Sequence, residues 1–384
     1  MNSNQLKWLF TALVLTSCTT AAVFEAGQMP QPSVSVVETK SSETVLTEPT
    51  AKSTATAEWP QGPHPLQIEV MREQSYVGSS IAIEERLDPG INYNRYLVSY
   101  ESEGYTIYAL MTVPFGSPPD SGWPVILFNH GYIHPPEYRT TENYINTMDM
   151  LASNGYIVFK SDFRGHGNSE GLIIGGGYGS PGYTTDILNA MESLKEYEGV
   201  DPGSFGVWGH SMGGQVALRA MVVSSEIKAG VIWAGVIAPL DEIISRWDPT
   251  DHRQTEEYND LYSDDLPERT ELNSTVQEWV RSFGSWVEEF IAMYGTADQN
   301  PAFWDTVSPN SYVADLSGPI QIHHGSNDKM VPLEWSEDFV QDMQDAGMPV
   351  EIYTYENDDH NISINFREAM QRTVAFFDQY VKRE

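Results

Sequence analysis

Residues 205–214 constrain the fold more than any other stretch of the sequence. Apolar residues run into Gly209-His210-Ser211-Met212-Gly213, and a helical pattern follows from Gln215. This order predicts a strand, a sharp turn and a helix, with glycines where strand and helix pass closely. A serine on such a turn stands at a helix N-terminus, where N–H groups stabilise negative charge. The pattern predicts a nucleophilic Ser211, and the alternative is a glycine-rich turn with a serine cap.

The charge balance restricts the partners of the chain. Among 384 residues, 21 are basic and 54 are acidic, which gives a net charge of −33. Such a surface repels nucleic acid and anionic membranes, so we expect neither as a partner. The expected partner is a small-molecule or short-peptide substrate.

The N-terminal residues indicate export. Residues 1–26 resemble a signal peptide, with Lys7 before a short apolar run at residues 8–15. The only cysteine, Cys18, ends a Leu-Thr-Ser-Cys sequence that resembles the lipobox of bacterial lipoproteins. We therefore expect a cell-envelope lipoprotein that meets the membrane only through lipidated Cys18; the alternative is ordinary secretion. Residues 27–58, rich in Ser, Thr, Pro and Glu, predict a disordered stalk.

Beyond residue 66, strand-like runs alternate with helical patterns. The strand candidates are residues 68–71, 81–84, 96–100, 105–114, 124–128, 156–161, 205–208, 229–234, 319–324 and 350–355. A turn at Glu103-Gly104 predicts a hairpin, and the later alternation predicts a mostly parallel sheet flanked by helices, an α/β fold. This domain comprises residues 59–238 and 306–384. Residues 239–305 interrupt it and predict a helical cap.

Three side chains at predicted strand ends form a candidate catalytic triad. Ser211, Asp328 and His360 each follow a strand, and parallel strands end at one edge of a sheet. A serine nucleophile needs a base for its proton and a carboxylate that orients the base. We therefore predict Ser211 as nucleophile, His360 as base and Asp328 as the orienting acid.

Other residues could fill these roles. His323 and His324 favour a structural role, His166 an organising one, and His210 is expected to point away from the serine. Asp315 precedes its strand, and Asp358 and Asp359 adjoin the candidate base.

The intermediate of acyl transfer requires two donors for its oxyanion. We predict the backbone N–H of Met212, directly after the serine, and that of Tyr132, in the loop after strand 124–128. The Tyr132 hydroxyl is a further candidate for the second donor, and the alternative for this loop is a tight glycine turn at Gly131. The sequence contains no metal-binding cluster, so no cofactor is expected, and Gly175–Gly177 predicts a flexible surface loop.

Over residues 90–384 the chain resembles the α/β-hydrolase superfamily, and more narrowly the catalytic domain of the prolyl oligopeptidase family. The resemblance is carried by the hairpin at 97–114, the Gly-His-Ser-Met-Gly-Gly sequence, Ser308-Pro309 with Tyr312, His324-Gly-Ser-Asn-Asp328 with Val331-Pro332, and the Asp-His at His360. It implies the same triad of Ser211, Asp328 and His360.

Two departures affect the expected substrate. The residues before the hairpin are too few for the β-propeller of full-length prolyl oligopeptidases, and residues 162–169 resemble a loop of esterases and monoacylglycerol lipases. The resemblance implies a serine peptidase for small peptides that works through an acyl-enzyme. The alternatives are a carboxylesterase and a catalytically silent binding module.

Overall fold

The computed structural model describes residues 59–60, 62–246 and 269–383, of which residues 269–281 are described by backbone only. The expected signal peptide, Cys18, the whole of the expected stalk and residues 247–268 of the cap lie outside the described residues. No helix in the described ranges is both long enough and apolar enough to cross a bilayer.

A single nine-stranded sheet forms the centre of the described domain, in the order β1-β2-β3-β5-β4-β6-β7-β8-β9. The strands are Ala82–Leu87, Tyr93–Ser102, Tyr105–Pro114, Trp123–Asn129, Ile157–Ser161, Val200–His210, Ile227–Trp233, Ile320–Gly325 and Val350–Tyr355, numbered β1 to β9. The predicted hairpin is confirmed as β2 and β3, paired antiparallel. All pairs from β5 through β4 to β9 are parallel, which confirms the predicted α/β fold.

Helices cover both faces of the sheet, because the central strands are apolar on both sides. Val125, Ile126, Leu127 and Phe128 of β4 are all fully buried. The helices are Ile68–Arg72, Ile145–Ser153, Gly182–Lys195, Met212–Val223, Leu240–Arg246, Arg269–Tyr294, Pro301–Val307, Leu333–Asp345 and Phe366–Tyr380. Two clusters of buried side chains result, one on each face.

Two local predictions were wrong. Residues 68–71 form the helix Ile68–Arg72 instead of a strand, because Ile68 and Met71 share one buried helical face. Gly175–Gly177 forms a 3-10 turn in which Gly175 and Gly176 are buried, so it is not a surface loop. A Cβ on Gly175 would lie 2.6 Å from the Trp286 ring, so the absence of a side chain lets that ring pack there.

The cap helix Arg269–Tyr294 reaches the sheet edge through this glycine turn. Trp286 covers Gly175 and Gly179 on one side of the turn. On the other side, a Cβ on Gly177 would lie 3.2 Å from Sδ of Met212, the residue after the candidate nucleophile. The limits of the cap at residues 239 and 305 stay a prediction.

A buried arginine connects the helix that follows Ser211 to two neighbouring segments of the chain. Arg219 of helix Met212–Val223 donates to the carbonyl oxygens of Leu66 and Val307, each at 2.9 Å. Burial lowers the pKa of Arg219 to about 10. The guanidinium therefore joins the segment before β1 and the end of helix Pro301–Val307 to the helix behind Ser211.

Candidate active site

Ser211 occupies a strained backbone conformation between β6 and the helix Met212–Val223. Its φ is 53° and its ψ is −123°, values that a non-glycine residue rarely adopts. The Ser211 N–H donates to the carbonyl of Trp233 at 3.0 Å, and its carbonyl accepts from the N–H groups of Val236 and Gly214. These contacts maintain the strain, which raises the side chain at the carboxyl edge of the sheet.

The flanking glycines are required by close backbone approach. A Cβ on Gly209 would lie 2.2 Å from the carbonyl oxygen of Gly213. A Cβ on Gly213 would lie 2.1 Å from the carbonyl oxygen of Asn129, at the end of β4. The turn therefore touches the loop after β4, where the second oxyanion donor is predicted.

Asp328 and His360 are hydrogen bonded to each other. Asp328 Oδ2 and His360 Nδ1 lie 2.7 Å apart, and the side chain of Asp328 is fully buried whereas that of His360 is 16% exposed. Asp328 Oδ1 accepts from the N–H groups of Met330 at 2.8 Å and Val331 at 3.0 Å. An ionised carboxylate only accepts, so Nδ1 of His360 carries a proton and Nε2 is the basic nitrogen.

His324 also contacts this carboxylate, a role that the sequence did not reveal. Its Nε2 lies 3.1 Å from Asp328 Oδ2 and 3.1 Å from the carbonyl of Val331, while its Nδ1 lies 2.8 Å from Ser336 Oγ. Burial would raise the pKa of Asp328, but the hydrogen bonds from His324 and His360 hold it below its ordinary value. The spacing of four residues between His324 and Asp328 in one turn was the available signal.

The three predicted triad residues follow strands β6, β8 and β9 and lie at one edge of the sheet. The rings of His210 and His360 are 4.6 Å apart between centroids, and His210 precedes Ser211. The imidazole of His360 therefore lies over the end of the serine-bearing strand, beside the turn. The roles of the three residues stay a prediction.

The loop after β4 lies against the serine. A Cβ on Gly131 would be 3.2 Å from Cβ of Ser211, so the backbone before Tyr132 is in contact with the turn. Met212 begins its helix, where the first N–H groups lack partners within the helix. The two predicted oxyanion donors, Met212 and Tyr132, thus belong to segments on two sides of Ser211.

The alternative acids and bases have other partners. Asp315 pairs with Arg72 at 3.1 Å. Asp358 and Asp359 accept backbone N–H groups of their own loop, between residues 359 and 365. His323 bonds the side chains of Tyr355 and Gln321 inside the protein.

His166 and His130 form part of a buried aromatic cluster below the loop after β4. Both are fully buried, and the His130 ring lies 4.6 Å from the rings of Tyr138 and Phe163. Burial lowers the pKa of His166 to about 4 and that of His130 well below its ordinary value, so both are neutral. The cluster supports the loop from inside. Within residues 62–246 and 269–383, no three His, Cys, Asp or Glu side chains are grouped to hold a metal ion.

A mostly parallel sheet with a strained serine turn at its carboxyl edge defines an α/β hydrolase. The chain belongs to the alpha/beta hydrolase fold family, whose model matches residues 124–365. Proteins to which it is similar carry the names of peptidases and esterases.

One curated relative is the uncharacterized peptidase YuxL of Bacillus subtilis. It is 24% identical over 294 residues, which are 74% of this chain and 39% of that protein. The chain thus spans about two fifths of that relative.

Two solved structures show the same fold. The acylaminoacyl peptidase of Pyrococcus horikoshii, of the prolyl oligopeptidase family, aligns with a TM-score of 0.54 at 21% identity, over 76% of this chain and 43% of that one. The esterase Pf2001 of Pyrococcus furiosus aligns with a TM-score of 0.54 at 20% identity, over 79% of this chain and 100% of that one.

Proposed function

We propose that the protein hydrolyses acyl substrates through a covalent intermediate on Ser211, with His360 as base and Asp328 as its orienting acid. The observation that carries the proposal is the 2.7 Å bond between Asp328 Oδ2 and His360 Nδ1, at the edge that bears Ser211. This bond supports the proposal, because with a proton on Nδ1 the unprotonated Nε2 is the atom that accepts the serine proton.

The proposed reaction has two halves. His360 Nε2 takes the Ser211 proton as Oγ bonds to the acyl carbon, and the backbone N–H groups of Met212 and Tyr132 stabilise the oxyanion. The intermediate collapses to the acyl-enzyme, and the leaving group departs with the proton from His360. Water, deprotonated by the same imidazole, then releases the acid and restores Ser211.

We propose short peptides as the substrate, supported by the peptidase relative from Bacillus subtilis and the fold of the acylaminoacyl peptidase. Ester hydrolysis is the second candidate. It is supported by the fold of the Pyrococcus furiosus esterase, which aligns with this chain over its full length.

A fluorophosphonate probe tests the nucleophile. We expect one label per wild-type molecule and none on Ser211→Ala, whereas a wild-type protein that takes no label would favour a catalytically silent module. Turnover of aminoacyl anilides and nitrophenyl esters, measured side by side, then separates the candidates. Anilide turnover with poor ester turnover would reject the esterase, and the reverse would reject the peptidase.

We also propose that the protein is exported and anchored in the bacterial envelope through Cys18, as its lipobox-like sequence suggests. Cys18→Ser should release the protein from the membrane fraction. Membrane retention equal to that of the wild type would contradict lipidation.

A further inference from the structure

A chain of hydrogen bonds joins two loops and the end of β6 at the edge that bears the candidate site. The Gly131 N–H donates to Tyr144 Oη at 2.9 Å, and this oxygen lies 2.8 Å from Nδ1 of His210. Nε2 of His210 lies 3.0 Å from the carbonyl oxygen of His360. Tyr144 and His210 therefore form a bridge between the loop after β4, residues 130–144 (the oxyanion loop), and the loop that carries His360.

The proton positions along this bridge follow from its two ends. The carbonyl of His360 can only accept, so Nε2 of His210 carries a proton. Burial, reinforced by the nearby His360, lowers the pKa of His210 to about 3, so the ring is neutral and Nδ1 accepts. The Tyr144 hydroxyl then donates to Nδ1, and its oxygen accepts from Gly131. Each donor has one acceptor, and reversing one bond would leave another group unpaired.

The surrounding structure is shaped to hold this arrangement. A Cβ on Gly131 would lie 2.8 Å from Tyr144 Oη and 3.0 Å from His210 Nδ1, so a side chain there would displace the bridge. Tyr144 has a φ of 56°, a left-handed conformation that a tyrosine adopts only under constraint. Its ring packs edge-on against Phe128, at 5.5 Å between centroids.

We propose that Tyr144 and His210 are positioning residues, which fix the oxyanion loop relative to His360 while Ser211 is acylated. The inference rests on the function proposed above. The peptide that ends at the Gly131 N–H is held by Tyr144, and the donor expected to meet the oxyanion is the next N–H, that of Tyr132. A shift of about 1 Å in such a donor can cost roughly 100-fold in rate.

Tyr144→Phe tests the proposal, because it removes the hydroxyl and keeps the ring. We expect the rate constant of fluorophosphonate labelling and kcat to fall about 10- to 100-fold, with KM changed less than about threefold. The labelled fraction at completion should remain that of the wild type. A purely structural role would lower this fraction, through unfolded molecules, and leave the rate constant of the folded ones unchanged.

Tyr156→Phe is the matched control. Tyr156 is a buried tyrosine whose hydroxyl donates to Asp378 at 2.7 Å, and neither residue belongs to the bridge. We expect its labelling rate to stay within about twofold of the wild type, since no group of the site is displaced.

His210→Asn decides the question if Tyr144→Phe does not fold. Its Oδ1 can still accept from Tyr144, but the shorter side chain loses the bond to the His360 carbonyl. We expect labelling about 10-fold slower with full final labelling. Wild-type labelling rates in the folded variant would overturn the inference. Absence of labelling in the wild type would instead refute the proposed function, so the two failures are distinguishable.

Discussion

Replacing Asp328 by asparagine tests the proposed triad, because it changes one carboxylate oxygen into an NH₂ group and leaves the size of the side chain nearly unchanged. Asp328 Oδ1 accepts from two backbone N–H groups, which cannot become acceptors. The amide oxygen must therefore occupy the Oδ1 position, and the NH₂ group must occupy the Oδ2 position, 2.7 Å from His360 Nδ1. Nδ1 can then only accept, so the proton moves to Nε2 and the ring cannot take the serine proton.

The expected magnitude follows from this inverted tautomer. Removing the orienting carboxylate while keeping the geometry costs about 10⁴-fold in kcat, or about 5.5 kcal/mol of activation free energy. KM should change less than about threefold, because no contact with the substrate is lost. The assay is kcat and KM on the better substrate near neutral pH, together with the labelling rate of the fluorophosphonate probe.

Asp315→Asn is the control for the loss of one negative charge. Asp315 was an alternative acid in the sequence, and its side chain is 52% exposed and paired with Arg72. We expect its kcat to stay within about twofold of the wild type, since exposed ion pairs contribute little. A folded Asp328→Asn protein that lost less than about tenfold in kcat would refute the assigned tautomer and the triad.

Three further predictions concern stability, measured as the free energy of unfolding in urea. Gly213→Ala should lose about 1–3 kcal/mol or more and should slow acylation, because the added Cβ would lie 2.1 Å from the Asn129 carbonyl oxygen. The control is Gly62→Ala, which should be as stable as the wild type because no atom beyond its chain neighbours lies within 4 Å of its added Cβ. Arg219→Lys should lose about 1–3 kcal/mol, because the guanidinium meets the two buried carbonyls through two separate nitrogens, whereas the shorter lysine carries its donors on one nitrogen. The third prediction concerns pH. Because the pKa of Asp328 is lowered in the folded protein, its carboxylate stabilises the fold above pH about 4, and the free energy of unfolding of the wild type should exceed that of Asp328→Asn by the largest amount near neutral pH. This difference should narrow as the pH falls through the folded pKa, and an unchanged difference would contradict this origin.

Patterns local in the chain predicted much of the fold. The run from Val125 to Phe128, apolar at every position, identified a strand buried on both faces, and the turn at Glu103-Gly104 identified the hairpin. The prediction failed for residues 68–71, because four apolar or charged residues fit either a strand or one helical turn. It also failed for Gly175–Gly177, whose burial depends on Trp286, about 110 residues further along the chain.

The candidate site divides in the same way. Residue type, order and position after a strand were enough to select Ser211, Asp328 and His360 as candidates. The second contact of Asp328 with His324 and the bridge through Tyr144 were not predicted, because each depends on which nitrogen of a ring meets which atom.

The sequence by itself determined the alternation of strands and helices, the serine turn and the edge at which the candidate side chains lie, because hydrophobic period and glycine placement act over a few residues. Only the tertiary structure decided the protonated nitrogens of His360 and His210, the burial of the glycine turn and the bridge that joins two loops to the end of β6. Those features arise from distances between residues up to 150 positions apart, which no local pattern encodes.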